Sequence, residues 1–204
     1  MKKAYLFDFD GTLVDSMPTF VSAMLRILDE NHIPYDNGII KIITPLGLNG
    51  TAEYYINQLG VKMSKEQLVS VMKEYMLDAY FHTIPAKKNV PEVLKALKAQ
   101  GASLNVLTAS PHSITDPCLR NNGVFDWFEQ VWTVEDYGMG KSNPLLFERV
   151  VEDIGLPAEE ILYFDDNPVA VVNATAAGMQ VCGVYDDSSK DYIMQIKSAS
   201  IFSF

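Results

Sequence analysis

Short apolar runs alternate with segments of helical periodicity along most of the chain. The clearest runs are Ala4–Phe7, Leu104–Leu107, Ile161–Phe164 and the shorter Val181–Val184, and Gln130–Thr133 is a weaker fifth candidate. Because both faces of these runs are apolar, we interpret them as strands buried inside a sheet.

Three segments between these runs carry apolar residues at helical spacing. Each begins at a proline, and each gives way to a glycine, which is a common helix stop. They are Pro91–Gln100, Pro144–Ile154 and Pro168–Ala177. The strand–helix alternation predicts an α/β fold with a doubly wound, Rossmann-like parallel sheet covered by helices on both faces.

Residues 15–83 break this alternation with several helical patterns in a row. The patterns lie at Pro18–Asn31, Thr51–Gly60 and Lys65–Phe81, with no convincing strand between them. We interpret the stretch as a helical subdomain that leaves the sheet after the first strand and returns near Pro85. The predicted domains are therefore a catalytic α/β core, residues 1–14 and 84–204, and a helical cap, residues 15–83.

Composition and charge exclude several classes of function. The chain has 204 residues and a formal net charge of -10, which makes it a poor candidate for non-specific nucleic-acid binding. Its apolar runs are too short to span a bilayer, and Asp8 interrupts the run that could have formed a signal sequence. We therefore expect a cytoplasmic protein without a membrane partner, in which Cys118 and Cys182 are reduced.

Polar residues cluster directly after three of the predicted strands. These segments are Asp8–Thr12, Thr108–Ser110 and Asp165–Asn167, and Lys141 precedes another predicted helix. Ligands of doubly wound sheets bind beyond the carboxyl ends of the strands. We therefore expect these residues to meet at one edge of the sheet.

The carboxylates in these segments suggest a cation site. Asp8 and Asp10 are two residues apart, so both can point into one cavity, and Asp165 and Asp166 add further negative charge. Such crowding is costly unless a cation balances it, and Mg²⁺ prefers oxygen ligands. Taken singly, however, a pair such as Asp8 and Asp10 is more often a turn or a solvated loop, and one such as Asp165 and Asp166 is more often a helix cap.

The remaining polar groups suit an anion. Lys141 and the hydroxyls of Thr108 and Ser110 could hold phosphate oxygens, and the Ser110-Pro111 and Asn167-Pro168 pairs indicate helix starts whose backbone donors favour anions.

The string Phe7–Ser16 resembles the opening motif of the haloacid dehalogenase superfamily. Thr108, Lys141 and the Asp165–Asp166 pair are similar to its second, third and fourth motifs, in the expected order. A helical cap after the first strand resembles the phosphoglycolate phosphatase and beta-phosphoglucomutase branch.

The resemblance implies a role for each of these residues. Asp8 would be the nucleophile and a Mg²⁺ ligand, and Asp10 the general acid and base with its backbone carbonyl on the metal. Asp166 would be the main fourth-motif ligand with Asp165 beside it, although which of the two binds the metal directly stays open. Lys141 would balance charge on Asp8 and phosphate. The remaining phosphate contacts would come from Gly11, Thr12, Thr108, Ala109 and Ser110.

Together with this resemblance, the residues predict a magnesium-dependent phosphatase of a small phosphorylated metabolite that acts through an aspartyl-phosphate. The resemblance implies a substrate of the phosphoglycolate or sugar phosphate class. A phosphomutase with the same core, or a catalytically silent binding protein, are the alternatives, and a monomer and a homodimer are equally compatible with the sequence. A dehalogenase is disfavoured because Asp10 would have no task when halide leaves. The predicted substrate loop, Thr44–Gly50, contains no Arg or Lys and leaves the substrate open.

Overall fold

Six parallel strands form the sheet of this protein. The computed structural model describes residues 3–36, 38–43, 46–187 and 189–200, and the backbone of residues 202–203. The strands are β1 (Ala4–Phe7), β2 (Ser103–Thr108), β3 (Gln130–Thr133), β4 (Ile161–Asp165), β5 (Gln180–Gly183) and β6 (Phe202–Ser203). Their order in the sheet is β3-β2-β1-β4-β5-β6.

Ten α-helices accompany the sheet within the described residues. They are α1 (Met17–Glu30), α2 (Ile39–Ile43), α3 (Gly47–Asn57), α4 (Lys65–His82), α5 (Val90–Ala99), α6 (His112–Asn121), α7 (Val134–Tyr137), α8 (Pro144–Ile154), α9 (Pro168–Ala176) and α10 (Ile193–Ala199). The predicted α/β fold is confirmed, and each predicted strand is present with bounds that agree within one residue. None of the described helices has the length and apolarity that a membrane span requires.

The central strands are largely buried, as their composition predicts: β2 is buried throughout, β1 has one half-buried residue, and β4 alternates buried and half-buried residues. On one face, Leu6 and Tyr163 are fully buried and share a core with Phe147 of α8 and Val171 of α9. The opposite face carries an aromatic layer, in which the rings of Phe7 and Phe164 stack at 4.8 Å. Since neighbouring residues of a strand point to opposite faces, the continuous apolar runs fill both layers.

The chain divides into two compact units. The first contains residues 1–15 and 85–204, and the second contains residues 16–84. At the edge of the first unit the outgoing and returning segments are paired, because Asp15 N donates to Pro85 O at 3.0 Å and Lys87 N donates to Leu13 O at 2.9 Å. Both connections are therefore anchored on the sheet-containing unit.

The second unit is built from α1 to α4 around its own apolar core. Met24, Leu68 and Met72 are fully buried there, and the Tyr55 hydroxyl donates to the Met24 carbonyl at 3.0 Å. Helix α4 begins at a capping box formed by Ser64 and Gln67, which satisfies donors at the helix start.

One local prediction in this unit is wrong. The segment Thr44–Gly50 is not a loop throughout, because α3 begins at Gly47. Glycine is a poor helix former, but Leu48 packs against the core of the unit, and this contact overrides propensity. Thr44 and Pro45 lie outside the described residues.

Candidate active site

The predicted site residues meet at the carboxyl edge of three neighbouring strands. Asp8 directly follows β1, Thr108 ends β2 and Asp165 ends β4. The Asp8 amide donates to the Phe164 carbonyl at 2.8 Å, which ties the end of β1 to the end of β4. All three polar side chains are buried, with exposed fractions of 6%, 1% and 0%.

Gly11 lets the turn after Asp10 approach the end of β4 closely. Its φ is +74°, and a Cβ at this position would lie 2.8 Å from Asp166 Oδ2. Any side chain would therefore collide with Asp166 as well as being strained. The glycine thus brings the Asp8–Thr12 segment against the carboxylate of Asp166.

Three carboxylates face one another at this edge. Asp8, Asp165 and Asp166 each offer an oxygen atom within 4.8 Å of the other two. Burial, and then the charge of Asp165, raise the pKa of Asp166 to about 7. Burial likewise raises the pKa of Asp8, although Lys141 opposes the shift. A cation would relieve this repulsion, and an all-oxygen donor set fits a hard divalent ion.

Lys141 bridges two of these carboxylates. Its Nζ donates to Asp8 Oδ1 and, at 2.9 Å, to Asp165 Oδ2, and the side chain is only 12% exposed. Burial alone would lower the pKa of Lys141, but Asp165 and Asp8 outweigh it and raise the pKa above its ordinary value. The ammonium therefore stays charged. The Asn173 side-chain amide donates to the backbone carbonyl of Lys141 at 2.9 Å and holds the backbone of the lysine in place.

The two adjacent aspartates have different surroundings. Asp165 Oδ1 accepts from the backbone N–H of Asn167 at 2.6 Å. Its Oδ2 accepts from the Tyr163 hydroxyl as well as from Lys141 Nζ. Both oxygens of Asp165 are thus engaged, whereas Asp166 is partly exposed and lies against Gly11. The arrangement leaves Asp166 the more accessible of the pair.

The second polar segment contacts Asp10 as well as offering hydroxyls. Ser110 Oγ donates to Asp10 Oδ2 at 2.6 Å, and Thr108 Oγ1 accepts from the Ser110 amide at 3.0 Å. Ala109 between them is exposed. Among the described residues, the buried hydroxyl of Thr12 has no hydrogen-bond partner, so a donor remains available close to Asp10.

Two residues of this site were missed by the sequence reasoning. Tyr163 precedes Asp165 by two positions on β4, and this spacing could have revealed it, because alternate strand residues share a face. Asn173 carries no such signal, since nothing in the sequence indicates that an amide on α9 reaches the Lys141 carbonyl.

Comparison with known proteins agrees with this geometry. A sequence profile of the haloacid dehalogenase-like hydrolases matches residues 5–184. The chain belongs to this family. It is therefore an enzyme, and the relatives that match it over most of its length support phosphoric monoester hydrolysis.

Individual members of the family are similar over nearly the whole chain. Phosphoglycolate phosphatase from Colwellia psychrerythraea is 27% identical over 192 residues, which are 90% of this chain and 84% of the relative. A family hydrolase from Deinococcus radiodurans R1, crystallised with phosphate and sodium, has a TM-score of 0.81 at 20% identity and covers 100% and 90% of the two chains. YfnB from Bacillus subtilis, bound to magnesium, has a TM-score of 0.81 at 19% identity, with coverage of 100% and 95%. At these identities the solved structures establish the fold alone.

Proposed function

We propose that this hydrolase is a magnesium-dependent phosphatase of a small phosphorylated metabolite, acting through an aspartyl-phosphate on Asp8. The observation that carries the proposal is the group of Asp8, Asp165 and Asp166, whose oxygens lie within 4.8 Å, with Lys141 bridging two of them. A buried cluster of this kind is expensive to maintain, and perturbed carboxylates in one place are typical of reactive sites.

The side chains of Asp8 and Asp166 and the backbone carbonyl of Asp10 would hold the metal. Bound Mg²⁺ would supply positive charge against the oxygens of the phosphoryl group. Asp165 would act differently, because its oxygens already hold Lys141, Tyr163 and the Asn167 amide. We assign it to the positioning of Lys141.

In the first step, an Asp8 oxygen attacks phosphorus while the bond from phosphorus to the substrate oxygen breaks. Asp10 gives its proton to the departing oxygen, and the Ser110 hydroxyl holds Asp10 in place. In the second step, Asp10 takes a proton from water, which attacks phosphorus, releases phosphate and regenerates Asp8. Lys141 balances charge on Asp8 and on the transferring oxygens, and Thr12 and Thr108 offer hydroxyls to them.

The names of the relatives support a substrate class. Their named substrates, phosphoglycolate among them, support a small phosphate monoester of the phosphoglycolate or sugar phosphate class. We further expect the enzyme to be cytoplasmic, as a monomer or a homodimer.

The test is hydrolysis of an aryl phosphate and of a panel of phosphorylated metabolites, with Mg²⁺ and with excess chelator. We expect release of inorganic phosphate that depends on Mg²⁺. Full activity in chelator would refute the metal assignment. Transfer of phosphate to a sugar in place of release would indicate a phosphomutase, and no turnover of any compound by folded protein would indicate a silent binding protein.

A further inference from the structure

A largely buried ion pair lies beside the site but outside Lys141 and the polar segments Asp8–Thr12, Thr108–Ser110 and Asp165–Asn167. Lys87 Nζ donates to Asp186 Oδ2 at 2.7 Å and to the Tyr185 carbonyl at 3.1 Å. The side chains of Lys87 and Asp186 are 20% and 5% exposed. An ion pair this well buried has a substantial desolvation cost, which its own attraction repays only in good geometry.

The lysine end of the pair is fixed to the loop that carries the nucleophile. Lys87 N donates to the Leu13 carbonyl at 2.9 Å. Val14, the residue after Leu13, forms β-bridges with Asp10 and with Ala86, the residue before Lys87. The backbone of Lys87 is therefore connected to the turn that begins at Asp8.

Asp186, at the other end of the ion pair, follows β5. Strand β5 pairs with β4, the strand that ends at Asp165. Val184 N, two residues before Asp186, donates to the Asp165 carbonyl at 3.0 Å. The backbone leading to Asp186 is therefore held against the strand end that directly precedes Asp166.

We propose that Lys87 and Asp186 are a positioning pair that sets the spacing between the two metal-binding segments, the Asp8–Asp10 loop and Asp166. The inference rests on the proposed function, because it concerns the affinity for magnesium. Mg²⁺ demands near-ideal octahedral ligand geometry, so a tie between its two ligand segments affects binding directly. Loss of groups that orient metal ligands typically reduces metal affinity about 10- to 100-fold.

The pair also contributes charge, and a single substitution would mix the two effects. Removing Lys87 alone leaves extra negative charge near the metal, whereas removing Asp186 alone leaves extra positive charge. The double variant Lys87→Met/Asp186→Asn removes one charge of each sign and breaks the tie. The double variant Lys88→Met/Glu92→Gln is the matched control, because both of those residues are exposed and follow in the same segment.

The experiment measures Mg²⁺ binding by calorimetry, together with the Mg²⁺ dependence of aryl phosphate hydrolysis. We expect the Lys87→Met/Asp186→Asn variant to bind Mg²⁺ about tenfold more weakly, with turnover at saturating Mg²⁺ much less affected. The control pair should match wild type. Lys87→Arg keeps a donor for Asp186 and should recover part of the affinity.

A variant that melts at a lower temperature but binds Mg²⁺ like wild type would overturn the inference, because the pair would then be structural only. If the double variant does not fold, Lys87→Met alone is measured. Its extra negative charge would by itself strengthen Mg²⁺ binding, so an Mg²⁺ affinity equal to or above wild type overturns the inference equally. Wild-type protein that neither binds Mg²⁺ nor hydrolyses aryl phosphate would refute the proposed function itself.

Discussion

The two units differ in what they bury. The sheet-containing unit buries the carboxylates of Asp8, Asp165 and Asp186 at its carboxyl edge. In the helical unit, the buried polar side chains among the described residues are Ser16 and Thr51, and none of them is charged. Its core is otherwise apolar and is packed around Met24, Tyr55 and Leu68.

This difference indicates which of the two units carries the reaction. A buried charge costs several kcal/mol unless it is compensated, so a fold retains a group of them where they have a use. The helical unit carries no such cost in its described part, and its own stability needs no special chemistry. We therefore assign the reaction to the sheet-containing unit and expect the helical unit to influence which substrate is used.

The largest effect should come from Asp8. Asp8→Asn should abolish turnover, because an amide cannot attack phosphorus to form an acyl phosphate. Steady-state hydrolysis of an aryl phosphate at saturating Mg²⁺ measures the effect. Asp126→Asn, at a side chain that is 92% exposed, is the control for the same substitution and should retain wild-type turnover.

Retention of more than a small part of the activity in Asp8→Asn would contradict the covalent mechanism. Mass spectrometry must first exclude deamidation of the asparagine back to aspartate. Asp10→Asn should instead slow both steps, and dephosphorylation most, since no base would then activate water.

Lys141→Met should have the next largest effect. Removal of the Lys141 charge should lower turnover on the order of a hundred- to a thousandfold. The reason is that Mg²⁺ alone would then balance the negative charge on Asp8 and on the phosphate. The structure adds a second consequence, since Asp165 is fully buried and would lose its ammonium partner. Breaking such a pair costs about 3–5 kcal/mol of stability, which denaturant unfolding without Mg²⁺ would detect.

Two further variants sharpen this result. Lys141→Arg should restore little turnover, because a planar guanidinium differs in reach and geometry from an ammonium held between two carboxylates. Lys95→Met changes an exposed lysine on α5 and should alter neither turnover nor stability. Near wild-type turnover in Lys141→Met would mean that the lysine is not part of the machinery.

Much of the fold follows from the sequence because buried strands and their ends have strong local signals. The strand at Ile161 is apolar and stops at an acidic pair, and helix α8 has the predicted bounds from Pro144 to Ile154. Helix α2, at Ile39–Ile43, was not predicted, because five residues are too few to show a helical period.

The principal residues of the site are also visible in the sequence, but their partners are not. Asp8, Lys141 and Asp166 stand at strand or helix ends, where motif order and strand topology place them together. The Lys87–Asp186 pair joins residues 99 positions apart, and no local pattern encodes such a contact. Contacts of this kind depend on how the loops pack.

Substitution in the helical unit should change substrate choice by a moderate factor. Leu46 and Asn49 are exposed and belong to the segment predicted to contact the substrate. Leu46→Ala or Asn49→Ala should change the ratio of kcat/KM between two metabolites about tenfold, while aryl phosphate hydrolysis changes less. Asn57→Ala, at the other end of α3, is the control. Equal changes for all substrates would leave the unit without a selective role.

The smallest effect should come from substitution of His112. This substitution tests whether the contacts of His112 with two aspartates stabilise the sheet-containing unit. His112 Nδ1 lies 3.0 Å from Asp116 Oδ1, and its Nε2 lies 3.1 Å from Asp136 Oδ2. The hydrogen bond to Asp116, joined by Asp136 and only partly offset by burial, raises the pKa of His112 above 6.5. The charged imidazole therefore stabilises the fold fully below that value, and the contribution is lost as the pH rises through the raised pKa.

The His112 side chain is 43% exposed, so the contribution should be only about 0.5 kcal/mol. Urea unfolding of wild type and His112→Gln should differ more at about pH 6 than at about pH 9. His82→Gln, in the helical unit, is the control, because the nearest Asp78 oxygen is 3.9 Å away and a smaller difference is expected. A pH-independent difference for His112→Gln would show that its contacts contribute by packing and not by charge.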